Sequence, residues 1–125
     1  GLTRDTSKED IIKGTLESIA FQSKDLVEAM KKDNATFEKL MIDGGMVANN
    51  WFCQKLANTL NVEVTRPKII ETTSLGAAFL AGLNADLFED FHSLKDSKLI
   101  DKRFFPQAEE NRYPEWKEAV KKIVT

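Results

Sequence analysis

The spacing of apolar positions changes several times along the chain, and each change predicts an element. Ile12, Leu16, Ile19, Ser23, Leu26 and Met30 step by four and three residues, while Lys24, Glu28 and Lys31 fall on the other side. That period belongs to one face of a helix. Thr6 is placed to cap it, Glu9 to complete a capping box, and Asp33-Asn34 to turn the chain after Lys32. Residues 39–42 are short, apolar and stopped by Gly44-Gly45, which predicts a buried strand. A helix is predicted over 47–60, with Phe52, Leu56 and Leu60 on one face and Asn61 suited to its C-terminus. The β-branched alternation of 62–65, closed by Pro67, predicts a second strand.

Glu71-Thr72-Thr73-Ser74 leads into a third predicted helix over 75–83, dominated by Gly76, Ala77, Ala78, Ala81 and Gly82. Glycine costs a helix stability relative to alanine, so such a helix implies a packing reason, either a close approach to another element or a plain core contact. Beyond Asn84 the pattern loosens. Leu87, Phe88, Phe91 and Leu94 suggest a short amphipathic turn, and 98–105 suits either a strand or an extended packing arm. Pro114 fits the first turn of a last helix with Trp116, Val120 and Ile123 facing inward. Helices alternating with strands predict α/β layers. Two short strands make a poor sheet, so more are expected from elsewhere.

Composition narrows the function. The 125 residues suit one domain, and the net charge of -2 is spread over mixed clusters such as Asp101-Lys102-Arg103. No nucleic-acid-binding surface is expected from that pattern, and no apolar run approaches the roughly 18 residues of a membrane helix. A single cysteine, Cys53, forbids an internal disulfide and lies in an apolar helical run, so it reads as a buried structural thiol in a reducing, cytoplasmic setting. His92 is the only histidine and has no partners at ligand spacing, so it reads as a surface residue and no metal site is expected. No signal-peptide pattern precedes the first helix, although the abrupt start leaves the natural N-terminus open.

The segment that carries chemistry runs from Leu40 to Asn50, a strand passing through Gly44-Gly45 into a helix. Glycine allows a backbone to approach a ligand, and a helix start offers N–H groups to an anion. The Asn49 amide can donate and accept, which suits a purine edge. Alone this pattern is weak, because paired glycines also serve packing. Neither G-x-x-x-x-G-K-[ST] nor G-x-G-x-x-G is present. Asp43 is expected to brace the glycine turn, and Glu17 to hold a structural hydrogen bond.

Five blocks carry a resemblance: Gly1-Leu2-Thr3-Arg4, Leu16-Glu17-Ser18-Ile19-Ala20-Phe21-Gln22, Asp43-Gly44-Gly45-Met46-Val47-Ala48-Asn49-Asn50, Arg66-Pro67, and Glu71-Thr72-Thr73-Ser74-Leu75-Gly76-Ala77-Ala78. In this order they closely resemble the glycerol kinases, sugar kinases whose ATP domain is similar to actin and hexokinase. The resemblance covers nearly the whole chain. It implies that residues 1–125 are the C-terminal part of the ATP-binding domain, an α/β, partial actin-like (ribonuclease H-like) ATPase fold. It further implies that Gly44, Gly45 and Asn49 contact the nucleotide, with ATP and Mg as cofactors. The family's aspartate base, phosphate-gripping loops and glycerol contacts belong to earlier sequence, so no catalytic residue is assigned here and the chain alone is expected to be inactive. Homo-oligomerisation is left open. Gly14 and the bulky Trp51-Phe52 depart from the family's usual residues. A sibling kinase such as one for xylulose, and a non-catalytic interaction module, are the competing readings.

Overall fold

The computed structural model describes residues 2–87 and 99–124. His92, Phe88, Phe91 and Leu94 lie outside the described residues. Helix α1 spans Lys8–Lys32, strand β1 Lys39–Met41, a 3₁₀ turn Gly45–Ala48, α2 Asn50–Leu60, β2 Glu63–Pro67, α3 Thr72–Asn84, β3 Ile100–Phe104 and α4 Tyr113–Val124. The order of elements matches the expectation, with one strand more than was counted on. Residues 100–104 resolve the choice between strand and arm by pairing antiparallel to β2, while β1 pairs parallel to it. The sheet order is β1-β2-β3.

The cap of α1 sits one residue later than expected. Thr6 closes a turn with Thr3, whose backbone N–H donates to the Thr6 hydroxyl at 2.9 Å. Ser7 therefore takes the N-cap, accepting from the Asp10 N–H at 3.1 Å while the Asp10 carboxylate accepts from the Ser7 N–H at 3.0 Å. Asp10, not Glu9, completes the capping box. The hydrogen bonds from Ser7 hold the Asp10 carboxyl below its ordinary pKa.

The expected apolar face of α1 is not the face that packs. Ile12, Leu26 and Met30 are exposed, and Leu16, Ile19 and Ser23 are half-buried. The buried stripe is Glu17, Ala20, Phe21 and Val27, about a third of a turn round the helix. It packs on α2, whose Cys53, Leu56, Ala57 and Leu60 meet Val64 and Phe104 of the sheet in one apolar cluster. Val64, on the central strand, is wholly buried, a contribution of about 1.5–3 kcal/mol. Asn61 ends α2 in the left-handed region at φ 54°, as its type allows.

Three further expectations are corrected. Strand β1 is not buried: Leu40 is half-buried against the core but Lys39 and Met41 are exposed, because β1 is an edge strand with one face covered. Helix α3 starts earlier, at Thr72, and of its small residues only Gly82 is buried, while Gly76, Ala77, Ala78 and Ala81 are exposed. A methyl group at Gly76 would have no atom within 4 Å. In α4, Trp116 and Val120 are half-buried but Ile123 is 83% exposed, since the helix outruns the surface it docks on.

Helix α4 is held mainly by polar contacts and rings. Trp116 and Tyr113 lie against Phe21, with centroids 5.8 and 6.1 Å away. Tyr113 and Lys117 both donate to the Asp25 carboxylate, the latter at 2.9 Å. Below them Lys55 of α2 pairs with Glu17 at 3.2 Å and Glu109 at 2.9 Å, and Arg112 reaches Glu17 at 3.2 Å. Glu17 was expected to hold a structural hydrogen bond; it accepts one from Arg112 and also pairs with Lys55, anchoring an ion network. Burial alone would depress the Lys55 pKa, but hydrogen bonds from Lys55 to Glu109 and Glu17 outweigh it, and the pKa is raised. Lys55 therefore stays charged in a site where its side chain is only 8% exposed.

The glycine turn as a candidate nucleotide site

The segment from β1 to α2 is built from two glycines that differ in kind. Gly44 has φ 89° and ψ 168°, a region L side chains rarely enter. Gly45 has no positive φ, and a methyl group there would meet no atom within 4 Å. The conformation of the turn requires glycine at 44. Among the described residues no packing contact of a Cβ requires it at 45.

The turn is fastened at both ends. The Gly44 N–H donates to the Ile70 carbonyl at 2.7 Å, and the Thr72 hydroxyl donates to the Asp43 carboxylate. Asp43 thus braces the turn, as expected, by tying it to the start of α3. At the far end, the guanidinium of Arg66 on β2 donates to the carbonyls of Val47 (2.7 Å) and Ala48 (3.3 Å). The buried Cys53 thiol also donates to Val47, at 3.1 Å. Burial pushes the Cys53 pKa up, which keeps the thiol protonated and a donor. Cys53 is a structural residue, in line with the sequence reading.

The structure brings Gly44, Gly45 and Asn49 into one turn, but gives Asn49 a local task. Helix α2 begins at Asn50, not at 47, and Asn49 is its N-cap. The Asn49 Oδ1 accepts from the backbone N–H groups of Trp51 (2.9 Å) and Phe52 (3.3 Å). Those donors are therefore taken, and the idea that the α2 terminus offers them to an anion is corrected. The Asn49 Nδ2 makes no hydrogen bond among the described residues, so a donor is left over. Asn49 also borders a shallow apolar groove lined by Ile12, Leu16 and Trp51.

Arg66 and its partner Asp101 were missed as parts of this site. The available signal was a charged residue inside a short β-branched strand, which must find a partner where the strand is covered. No group of His, Cys, Asp and Glu that could hold a metal occurs among the described residues.

Residues 1–85 match the FGGY family of carbohydrate kinases, C-terminal domain. The chain belongs to this family. As an FGGY chain it is 44% identical over 129 residues to the glycerol kinase of Coxiella burnetii, covering 100% of this chain and 26% of that protein. The glycerol kinase of Bacillus subtilis is 46% identical over 126 residues, covering 97% and 25%. Among solved structures, a Plasmodium falciparum glycerol kinase with ADP superposes with a TM-score of 0.74 at 31% identity, covering 98% of this chain and 26% of that one. A ligand-bound xylulose kinase from Lactobacillus acidophilus gives 0.76 at 25% identity, covering 100% and 26%. The FGGY chain has the α/β, actin-like fold of these kinases, helix-rich with a small sheet. It spans about a quarter of the length of the curated relatives it matches. No helix among the described residues is long and apolar enough to cross a membrane.

Proposed function

We propose that the chain is the C-terminal part of the ATP-binding domain of a glycerol kinase, a cytoplasmic enzyme that transfers a phosphoryl group from MgATP to glycerol, giving glycerol 3-phosphate. The observation that carries this reading is the alignment of nearly the whole chain with glycerol kinases at 44% and 46% identity. In this reading residues 44–49 form one wall of the nucleotide site. Gly44 sets the backbone of the turn. Gly45 leaves room for the nucleotide to approach, and the spare Asn49 Nδ2 donates to it. The open space at Gly45 leaves room for this, although Gly14 and Gly76 are equally open, so the reading rests on the placement of Gly45 beside Gly44 and Asn49 in the turn. The described residues fit a nucleotide contact but not a metal site, so Mg²⁺ is taken to arrive with ATP and to be held elsewhere. Glycerol contacts and the catalytic base are assigned to parts of the protein outside this chain.

The direct test is turnover of the full-length protein with MgATP and either glycerol or xylulose. Turnover with xylulose and none with glycerol overturns the substrate in favour of the sibling kinase. For the site, Gly45→Val is expected to lower kcat/KM for ATP by roughly ten- to a hundredfold, the kinetic equivalent of one overpacked contact. Glycerol KM should hold. A Cβ at 45 has no described atom within 4 Å apart from its chain neighbours, so the melting temperature is expected to change little. Unchanged ATP kinetics in the folded variant would remove Gly45 from the site.

A further inference from the structure

We propose that Arg66 is a positioning residue for nucleotide use, holding the 3₁₀ turn Gly45–Ala48 at a fixed distance from the sheet, with Asp101 aiming it. This rests on the reading of residues 44–49 as a nucleotide contact.

The last carbonyls of a helical turn lack partners of their own. Here Val47 and Ala48 present two such carbonyls, and Arg66 supplies both hydrogen bonds from a position 18 to 19 residues away in sequence. The guanidinium is used on two sides. One nitrogen serves the turn, while Nε and the other terminal nitrogen clamp the Asp101 carboxylate of β3 at 2.8 and 2.6 Å. The Phe104 ring, centred 5.6 Å from the guanidinium carbon, covers part of it. Only 12% of the Arg66 side chain is exposed, and its bond to the Val47 carbonyl is partly buried, while Asp101 is 43% exposed and its side of the fork meets solvent.

A planar fork held in this way has little freedom to move. The turn it holds ends at Asn49, whose cap fixes the start of α2. The opposite end of the turn is tied only through Gly44 to Ile70 and Asp43 to Thr72. Without Arg66, Ala48 loses its side-chain donor, Val47 keeps only the Cys53 thiol, and the turn loses its hydrogen bonds from the central strand, leaving the Val47 side chain in the core as its remaining hold at this end. A shift of about one ångström at a binding surface can cost roughly a hundredfold in rate. Lysine carries the charge but not the fork, so it cannot serve Val47, Ala48 and Asp101 at once.

The test compares Arg66→Lys, Asp101→Asn and Gly45→Val in the full-length kinase, measuring kinetics for MgATP and glycerol together with melting temperature. Arg66→Lys is expected to lower kcat/KM for MgATP roughly ten- to a hundredfold, the range commanded by one charge-assisted hydrogen bond. Asp101→Asn should give a smaller loss of the same kind. Glycerol KM should stay within about twofold in both. Equal losses for ATP and glycerol that track a fall in melting temperature would overturn the proposal, since a merely structural role predicts that pattern. If Gly45→Val damages ATP use and Arg66→Lys does not, positioning by Arg66 is wrong while the nucleotide reading stands. If neither variant changes ATP use, the nucleotide reading fails and the proposal goes with it. Should Arg66→Lys fail to fold, Asp101→Asn, which keeps a hydrogen-bonding group, decides by the same split.

Discussion

Gly44 and Gly45 are chemically identical neighbours with opposite physical reasons to be glycine. At Gly44 the φ of 89° strains any residue with a Cβ, even though the space around it is empty. At Gly45 neither limit applies. Gly44→Ala should therefore lower unfolding free energy by about 1–3 kcal/mol, and Gly45→Ala by no more than about 0.5 kcal/mol, both read from denaturant midpoints at constant slope. Equal losses would mean the two glycines share one role. The sequence showed that a glycine turn stood here but not which glycine carried the backbone, because φ is not written in residue identity. Asn49 illustrates a different gap. Asparagine ahead of an apolar helical run is an ordinary N-cap signal, yet the motif drew attention to a ligand and the cap went unread. Lys55 was unreadable for a better reason: its partners Glu17 and Glu109 lie far away in the chain and meet it only through the packing of α1, α2 and the segment before α4.

Among elements, α1 shows how a correct helix can be assigned to the wrong face. It carries two apolar stripes, and periodicity picked the one richer in large residues. Helices α2 and α4 take the other, where small Ala20 lets α2 approach and Phe21 reaches the rings of α4. Choosing between stripes needs the partner surface, which no local pattern contains. Helix α4 was legible from Pro114 and its spacing, but its attachment was not, since that depends on Asp25. The Asp25 carboxyl is held below its ordinary pKa of 3.8, first by the hydrogen bond from Tyr113 and then by Lys117. A lowered folded-state pKa adds stability that is complete above the unfolded value and disappears as pH falls through the folded one. Amides of 113–124 should therefore lose hydrogen-exchange protection on acidification below about pH 4, and Asp25→Asn should abolish that component. At neutral pH the substitution should cost no more than about 1 kcal/mol, because the carboxylate is 38% exposed and screened. Protection of α4 unchanged through this range would show that the aromatic contacts alone hold it.

For the whole molecule, the α/β class and the order of elements were legible because each period was locally strong. The third strand was legible only as one of two choices, strand or extended arm over 98–105, because Ile100–Phe104 is exposed except at Phe104 and has no alternation to decide between them. The unpartnered surfaces follow the share of its relatives that the chain spans. Ile11, Ile12 and Leu26 on α1 and Leu80 on α3 are all more than half exposed. Such surface is expected to meet further protein in a full-length kinase. The 125-residue chain by itself is expected to show no kinase turnover, to bind a dye for apolar surface and to sediment as a concentration-dependent mixture. A monodisperse monomer at high concentration that binds no dye would contradict this.

The contrast between the apolar seam of α2 with the sheet and the polar seam of α4 has a consequence for solvent conditions. The pairs Lys117–Asp25 and Arg112–Glu17 attract partly through water, and the screening length shrinks from about 10 Å at 0.1 M salt to about 3 Å at 1 M. The cluster around Val64 contains no charge to screen, and salts excluded from protein surface strengthen its burial. Concentrated sulfate should accordingly pull the two seams in opposite directions, loosening the ionic hold on α4 while tightening the core beneath it. Ionic strength thus becomes a handle that separates the attachment of one helix from the stability of the rest.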